Sequence, residues 1–292
     1  MKTAFITFED FLGKKDIGSS RIRAKYLIDR WSQAGPDIGE AELFKFGGRY
    51  DAVVFQKAYW WEFAEKFEGI KILDLCDPDF LHWGYPIYRM IEACHVITCS
   101  SERLAAEVAG LTSKPVHFIP DCILDVEKSP RKLHFGPVRS VAWFGYAENF
   151  PVLNSAVPAL AKRGLDLVVI SSKPYNPPAG IKINFRNLPW TAENWIDDFM
   201  RADMVINPQS LHGRFAFKSD NKTTQAWAVG MPVAGDDKEL DEIIALTPTE
   251  RQARGDSLRQ WAIENRDIRQ AVEQMKTIIN GLSPAKPNVS GN

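Results

Sequence analysis

The stretch "FKSDNKTTQAWAVGMPVAG", residues 217–235, places two lysines at the start of a predicted helix. Lys218 and Lys222 are four residues apart, and the three residues between them are all of the types that cap helix N-termini. The helix should end at Gly230, before a short strand of small residues. Cations are unfavourable at the positive end of a helix dipole unless an anion binds there. This stretch therefore predicts an anion-binding site.

Composition places the chain among ordinary globular proteins. Its 292 residues fit two domains of roughly 130–150 residues each. Apolar residues make up 45% and charged residues 25%, which is the usual balance. Lys and Arg (36) match Asp and Glu (37), so no global positive field recruits nucleic acid or anionic membrane. That balance leaves room for a local basic patch.

The cysteines and the N-terminus indicate an intracellular protein. The four cysteines lack any CxxC spacing, which predicts small buried residues and neither a zinc site nor a disulfide framework; they are Cys76, Cys94, Cys99 and Cys122. The opening "MKTAFITFEDFLGKK" has only a short apolar stretch, which predicts a first strand and not a signal peptide. No apolar run reaches membrane-spanning length. We therefore expect a cytoplasmic protein.

Short β-like runs alternate with helical patterns, which is typical of parallel α/β sheets. The alternation predicts two doubly wound Rossmann-like domains, residues 1–133 and 138–282, the second with a terminal helix, and then a flexible tail at 283–292. Such sheets bind ligands outside the carboxyl ends of their strands, so a cleft between the domains is expected to hold the substrates. The predicted strands are 3–8, 41–46, 51–56, 70–76, 95–100, 116–120, 140–145, 165–171, 181–186, 203–208 and 232–235.

The order of five short motifs resembles that of GT-B glycosyltransferases. "HVITCSSERLAAEVAG", "KPVHFIPD" and "SVAWFGYAENF" are similar to segments that close the first domain of these enzymes and open the second. "FRNLPWTAENWIDDFMRADMVINPQS" and "KSDNKTTQAWAVGMPVAG" are similar to their donor-binding half. The resemblance is to the large retaining family of bacterial and phage sugar transferases (group 1, family 4-like) and covers most of residues 1–235. It implies a GT-B fold and transfer of a sugar from a nucleoside-diphosphate sugar.

The resemblance also implies that the anion is the donor's diphosphate. Lys218 and Lys222 would bracket it, and backbone N–H groups from Ser219 onward would add donors. Gln225 stands where the family usually has a Glu that accepts from the ribose hydroxyls, so one oxygen is kept and the charge is lost. The second Glu of the family's pair would fall at Phe217 and is absent. The alternative is that both lysines are solvated surface residues.

Further donor contacts follow from the same resemblance. The loop around Leu188 and Trp190 would hold the nucleotide base through backbone groups, although Trp190 would serve equally as a core anchor. Gly145 would let the backbone approach the phosphates, although a tight turn would also explain it. The family's basic pair after this glycine is missing, so His212 and Arg214 would supply charge with the two lysines. No metal, and no cofactor besides the donor itself, is expected.

The acceptor is expected on the first domain. In the loop after the first strand, Ser19 is a predicted N-cap beside Ser20, and Arg21 and Arg23 would reach a phosphate or an anionic acceptor. A solvated basic helix start explains these residues equally well.

"LDLCDPDFLHWG", residues 73–84, places three aspartates after the fourth predicted strand. Where the family's strand commonly ends in His-Asp, this chain has Cys76 and Asp77, which makes Asp77 the candidate catalytic contact to the acceptor or the transferred sugar. Asp74 and His82 are expected to help to bind the acceptor. The triplet that begins at Asp77 also matches the D-x-D metal signature of GT-A glycosyltransferases, but about one such triplet is expected by chance. Capping of the next helix is the structural alternative.

We therefore expect a metal-independent hexosyl- or pentosyltransferase that retains the anomeric configuration. A saccharide or lipid-linked sugar is the default acceptor. A hydroxymethylated base in DNA is the alternative, because Lys14, Lys15 and Arg21 lie beside the expected acceptor site. Two other classes stay open: a non-catalytic nucleotide-binding or assembly protein, which the missing Glu pair and His motivate, and a sugar-nucleotide epimerase, which needs no acceptor.

Overall fold

The computed structural model describes residues 1–33, 39–82, 84–191, 194–210 and 212–282. The chain divides into two compact units. The first contains residues 1–124, the segment Phe217–Ser219 and, within the described chain, residues 267–282; the second contains Asp125–Ala216 and Asp220–Arg266. Each unit is built on one parallel sheet.

Six parallel strands form the sheet of the first unit, in the order β2-β1-β3-β4-β5-β6. β3 is buried along its whole length, as expected for a central strand with helices on both faces. The order reverses between β1 and β3, which is where doubly wound sheets form their ligand crevice. The strands are β1 (Lys2–Ile6), β2 (Glu40–Leu43), β3 (Ala52–Gln56), β4 (Ile70–Leu75), β5 (Val96–Cys99) and β6 (Val116–Phe118).

Short helices connect these strands, and local side chains set where two of them begin. Thr7 forms a capping box with Asp10 before α1, and the Ser101 hydroxyl accepts from Leu104 N–H before α7. The helices are α1 (Phe8–Leu12), α2 (Gly18–Ser20), α3 (Tyr26–Trp31), α4 (Trp61–Lys66), α5 (Asp79–His82), α6 (Ile87–Ala93) and α7 (Glu102–Ala109), with a π-helical turn at Arg21–Lys25.

Five parallel strands form the sheet of the second unit, in the order β11-β10-β7-β8-β9. The strand predicted at 181–186 is wrong in its bounds: Ile181 and Ile183 pack on the core, and the ladder begins only at Phe185, opposite Leu167. The strands are β7 (Ser140–Phe144), β8 (Asp166–Ser171), β9 (Phe185–Pro189), β10 (Met204–Ile206) and β11 (Val233–Ala234).

Capping residues near the start of α12 show how local sequence sets where a helix of the second unit begins. Thr247 and Glu250 form a capping box, and a proline occupies the first helical position of α12, where its missing N–H costs nothing. The helices are α8 (Phe150–Lys162), α9 (Trp195–Met200), α10 (Asn221–Ala228), α11 (Asp237–Ala245) and α12 (Pro248–Asn265), with short 3₁₀ turns at Val126–Lys128, Ala147–Asn149 and Gly213–Phe217.

The last helix, α13 (Ile268–Leu282), belongs to the first unit, although the sequence analysis assigned it to the second domain. The N-terminal stretch of the first unit ends at Leu124, before the predicted boundary at 133. A helical pattern in the sequence shows which face of a helix is apolar, but it does not show which sheet that face covers. In the structure, the apolar face of α13 shares a core with Phe5 and Trp31. Its buried apolar residues in that core are Ile268, Ala271, Val272, Met275 and Ile279.

The cysteines are free thiols, and three of them are buried as predicted: Cys94, Cys99 and Cys122. Cys76 is partly exposed. Across the described ranges, no helix is both long and apolar enough to cross a membrane.

A buried histidine–arginine pair lies in the second unit. Arg251, which is 0% exposed, donates from Nε to His134 Nδ1 (3.3 Å) and from Nη2 to Gly136 O (2.7 Å). Because His134 Nδ1 accepts, its proton lies on Nε2, which donates to Gly230 O (2.9 Å). The imidazole is therefore neutral. Burial lowers the pKa of His134, and the charges of Arg251 and Lys132 add to that effect.

Acidification is expected to destabilise the protein through His134. Its folded pKa lies below the ordinary value of about 6.5, so the unfolded chain takes up the proton first and the free energy of unfolding falls as the pH drops below about 6.5. Thermal unfolding between about pH 7.5 and 5.5 measures this loss. It should be smaller in His134→Gln, because glutamine does not titrate; equal losses in both proteins would contradict the assignment.

Candidate functional site

Polar side chains follow the carboxyl ends of β1, β3 and β4 in the first unit. The Gln56 amide oxygen, at the end of β3, accepts from Phe8 N–H (3.2 Å) and from the Ser20 hydroxyl (3.1 Å). Lys57 directly follows β3, and Asp77 lies two residues beyond β4. Because neighbouring parallel strands end at the same edge, these side chains meet near the point where the strand order reverses.

Lys57 is a buried cation held between two carboxylates. Its ammonium nitrogen is 2.7 Å from Asp77 Oδ2 and 3.0 Å from Asp79 Oδ2. The side chains of Lys57 and Asp79 are each 2% exposed, whereas that of Asp77 is 22% exposed, so Asp77 is the most accessible of the three. Both carboxylates of the D-x-D triplet thus bind a lysine. Among the described residues, no group of three or more His, Cys, Asp or Glu is placed to hold a metal ion.

Lys218 forms a second ion pair with Asp77, through Oδ1. The sequence predicted that Lys218 and Lys222 lie at the start of one helix. The structure corrects this, because α10 begins only at Asn221 and Lys218 lies in a segment of the first unit. Its ammonium pairs with the Asp77 carboxylate, whereas the resemblance implied a diphosphate as its partner.

The charges of this cluster set the protonation of its members. Burial opposes ionisation of Asp77, but the ammonium groups of Lys218 and Lys57 outweigh it and lower the pKa of Asp77 to about 2. Burial raises the pKa of Asp79, and it raises the pKa of the Cys76 thiol well above its usual range. Asp77 is therefore a stable anion and a weak base at neutral pH. The raised pKa of Cys76 favours its neutral thiol form.

Aromatic rings line the same cluster. Tyr59 donates its hydroxyl to Asp79 Oδ2 (2.7 Å) and stacks on Tyr85, with ring centroids 4.8 Å apart. Phe11 packs edge-on against both tyrosines, at 5.3 and 5.6 Å. Phe11 and Tyr85 are partly exposed, so they form an apolar wall beside the carboxylates.

A second polar group in the first unit is centred on the buried Arg23. The guanidinium holds Asp74 with two hydrogen bonds, of 2.5 and 3.1 Å, and reaches Asp121 Oδ1 at 3.2 Å. Asp74 also accepts from the Thr98 hydroxyl (2.7 Å), and Asp121 accepts from the Ser219 hydroxyl (2.6 Å). Asp74 is 0% exposed. We therefore assign it a structural role, which corrects the predicted acceptor contact.

The other predicted acceptor residues divide into three cases. Ser20 is 0% exposed and donates to Gln56, so it supports the fold and does not touch a ligand. Ser19 lies inside α2 and not before it, so it is no N-cap. Ser19 and Arg21 are partly exposed and stay predicted contacts. His82 ends α5, and its side chain lies outside the described part of the structure.

In the second unit, Lys222 reaches the carboxyl end of β7 from the first turn of α10. Its ammonium nitrogen is 4.6 Å from the centroid of the Trp143 ring. Gly145, directly after β7, has φ 153°, and a Cβ added there would lie 2.8 Å from Lys222 Nζ. The absence of a side chain at Gly145 thus admits the ammonium to the point where the sheet order reverses, between β7 and β10. Lys222 is therefore no solvated surface lysine.

One further residue at this edge, Asn207, was missed by sequence reasoning. Asn207, directly after β10, donates its amide to Thr223 Oγ1 (2.9 Å) and so ties the strand end to the first turn of α10. The signal in the sequence was a polar residue between an apolar strand and a proline. Gln225 donates its amide nitrogen to Asn221 Oδ1 (2.8 Å), a bond that does not use the oxygen predicted to accept from ribose.

The predicted base-binding loop is largely a strand. Leu188 lies in β9, and both it and Trp190 pack on the apolar cluster that contains Phe199. This packing favours the core-anchor interpretation of Trp190. Arg214 donates to the carbonyl of Glu148 (3.0 Å), and its donor role stays a prediction.

No family model matches the sequence, and no curated protein matches it. Solved structures do match. The crystal structure of Anabaena Alr3699/HepE in complex with UDP is similar over 97% of this chain and 100% of its own, with a TM-score of 0.67 at 12% identity. A glycosyltransferase from Rickettsia africae ESF-5 is similar over 97% and 99%, with a TM-score of 0.62 at 9% identity.

A third similar structure is that of the T4 phage BGT in complex with its UDP-glucose substrate. The likeness covers 96% of this chain and 97% of that one, with a TM-score of 0.51 at 13% identity. At such identities these likenesses establish the fold. The predicted GT-B fold, α/β with two doubly wound Rossmann-like domains, is confirmed.

Proposed function

We propose that this protein is a glycosyltransferase that moves a sugar from a uridine diphosphate sugar to an acceptor hydroxyl. The observation that carries the proposal is the ammonium of Lys222 at the carboxyl end of β7, above a glycine that leaves it room. Support for uridine comes from the similar structures, of which Alr3699/HepE holds UDP and the T4 phage enzyme holds UDP-glucose.

The second unit has the chemistry that a leaving diphosphate requires. Negative charge develops on the diphosphate as the bond to the sugar breaks, and preplaced cations and N–H donors stabilise that charge. Lys222 supplies a cation, and the first turn of α10 supplies backbone N–H groups with the positive end of its dipole. We propose that this stabilisation suffices without a metal ion.

The first unit supports transfer with retained configuration. Asp77 is the exposed carboxylate of the lysine cluster, and a pKa of about 2 makes it a poor base for the acceptor proton. We infer that Asp77 accepts a hydrogen bond from the acceptor hydroxyl and orients it. The proton then passes to the departing diphosphate as the new glycosidic bond forms. Nuclear magnetic resonance of the product reads its anomeric configuration directly.

A saccharide is the acceptor that the first unit suits best. Sugar rings stack on aromatic faces, and Tyr85 and Phe11 present such faces beside the carboxylates. A hydroxymethylated base in DNA is the second candidate, because Lys14 and Lys15 are exposed in the loop before α2. Balanced net charge (−1) weighs against duplex binding.

A transfer assay tests the proposal. The protein is incubated with UDP-glucose, UDP-N-acetylglucosamine and UDP-xylose, each with oligosaccharides or with hydroxymethylcytosine DNA, and products are identified by mass spectrometry. We expect one donor–acceptor pair to release UDP and form a glycoside. UDP binding without product would indicate a non-catalytic nucleotide-binding protein, and donor conversion without acceptor would indicate an epimerase.

Gly145→Ala is expected to weaken UDP binding by about tenfold, or ~1.4 kcal/mol. The new Cβ would lie 2.8 Å from Lys222 Nζ, so the flexible end of that lysine would move away from the strand end. Isothermal titration calorimetry measures the affinity. Gly136→Ala is the control, because it also places alanine at positive φ but its Cβ meets nothing within 4 Å. Unchanged affinity in Gly145→Ala would contradict the role of Lys222.

A further inference from the structure

A three-residue segment, Phe217–Ser219, belongs to the first unit, whereas the chain on both sides of it belongs to the second. Phe217 is anchored by two groups near the start of α7. The Ser101 hydroxyl donates to Phe217 O (2.8 Å), and the Arg103 guanidinium lies 5.3 Å from the centroid of the Phe217 ring. The N-terminal end of the segment is therefore held by the first unit.

Ser219 anchors the other end. Its hydroxyl donates to Asp121 Oδ2 (2.6 Å), while Asp121 Oδ1 accepts from Arg23. Arg23 is 3% exposed and also donates to Ile119 O (2.6 Å), so its guanidinium cannot swing away without losing several buried bonds. The position of Ser219 is thus set by a buried group of charges.

The main effect of this buried group of charges is to fix the arrangement of its side chains. One guanidinium serves two carboxylates, Asp74 and Asp121, and burial raises the pKa of Asp121 because the charged form is costly there. Buried ion networks recover little net free energy after desolvation, and in some proteins they specify a single arrangement of side chains. The Ser219 hydroxyl satisfies the second oxygen of Asp121, which makes the serine part of that arrangement.

Lys218 stands between the two anchors, and its ammonium pairs with Asp77. The Lys218 side chain is 40% exposed, so solvent alone would leave it many rotamers. Its pairing with Asp77 depends on where the backbone at 217–219 is held. Asp77 pairs with Lys218 through Oδ1 and with Lys57 through Oδ2, so Lys218 helps to fix the orientation of this carboxylate.

We propose that Ser219, through Asp121 and Arg23, is a positioning residue that holds Lys218 on Asp77. An effect of Ser219 on catalysis rests on the proposed glycosyl transfer, whereas its effect on the position of Lys218 does not depend on that function. Removing the hydroxyl should release Lys218 from Asp77, slow the transfer step and leave donor affinity unchanged.

The first test measures the positioning without any activity. Wild type, Ser219→Ala and Ser219→Thr are treated briefly with acetic anhydride, and modification of Lys218 is compared by mass spectrometry with that of Lys238, whose side chain is 85% exposed. We expect Lys218 to react about tenfold faster in Ser219→Ala than in wild type, since a hydrogen bond to a charged group is lost. Ser219→Thr keeps the hydroxyl and should keep the wild-type rate.

An unchanged rate in a folded Ser219→Ala protein would overturn the proposal. Circular dichroism and the melting temperature establish folding. If the alanine variant does not fold, Ser219→Cys keeps the volume with a weak donor and should give an intermediate rate; a wild-type rate there overturns the proposal as well.

The second test separates this proposal from the proposed function. With an active donor–acceptor pair, Ser219→Ala should lower kcat about tenfold at unchanged KM for the UDP-sugar. Ser219→Thr should restore kcat, which a general loss of stability would not allow. A wild type that binds and uses no UDP-sugar would remove the proposed function, yet the acetylation result would still decide the positioning role.

Discussion

Lys222→Ala is expected to remove most of the stabilisation that UDP gives to the wild-type protein. At one hundred times its dissociation constant, UDP should raise the free energy of unfolding by about 2.7 kcal/mol. Loss of a charge-assisted contact of about 2.7 kcal/mol weakens binding about a hundredfold, so the same UDP concentration should stabilise the variant by only about 0.4 kcal/mol. Differential scanning fluorimetry with UDP, GDP, ADP, CDP and dTDP measures the effect and identifies the base.

Catalysis should fall in the same variant. Removing a group that stabilises developing negative charge commonly lowers kcat by about 10²–10³-fold. Lys238→Ala is the matched control, because Lys238 lies on a helix of the same unit with its side chain 85% exposed. It should keep both the UDP response and the activity. Equal UDP responses in Lys222→Ala and wild type would place the nucleotide elsewhere.

Lys57→Met is expected to destabilise the first unit by about 3–5 kcal/mol. The ammonium of Lys57 is buried between Asp77 and Asp79, so its removal leaves two carboxylates facing each other with one partner fewer. Chemical denaturation measures the free energy of unfolding. Lys2→Met is the control, because Lys2 pairs with Glu42 at the surface, where removal of the pair should leave stability close to that of the wild type.

The loss of stability in Lys57→Met should increase as the pH rises. Burial already raises the folded pKa of Asp79 above its unfolded value, and removal of Lys57 raises it further. The folded variant therefore binds more protons than the unfolded chain, and its stability falls as the pH rises through that folded pKa. The penalty should be smaller at about pH 5 than at about pH 8, and adding Asp79→Asn should recover part of it. A loss of stability in Lys57→Met that grows on acidification would contradict the assignment of that loss to ionised Asp79.

The second unit contains elements that local sequence patterns predicted correctly. An N-cap pattern and an apolar run correctly predicted a helix near residue 222 and a strand after it, because both signals depend on neighbouring residues. The same reasoning joined Lys218 to that helix. The helix begins three residues later, at Asn221, and the Ser219 hydroxyl binds Asp121 of the first unit.

The first unit contains contacts that local sequence patterns did not predict. Asp77 was expected at the end of the fourth strand, and the structure places it there. Its two lysine partners were not foreseen, and neither was the burial of Asp74 and Ser20. A sequence shows that a carboxylate follows a strand, but it does not show which cation the neighbouring strand presents.

The sequence by itself determined the two parallel α/β sheets, most strand positions and the polar residues at the strand ends. These depend on the period of apolar residues and on caps, which act over a few residues. Tertiary structure alone decided that α13 covers the first sheet, that Arg23 meets Asp74 across 51 residues, and that Lys218 meets Asp77 across 141 residues. Such pairings follow from the packing of distant segments, and packing decides which charges are buried together and which stay open to a substrate.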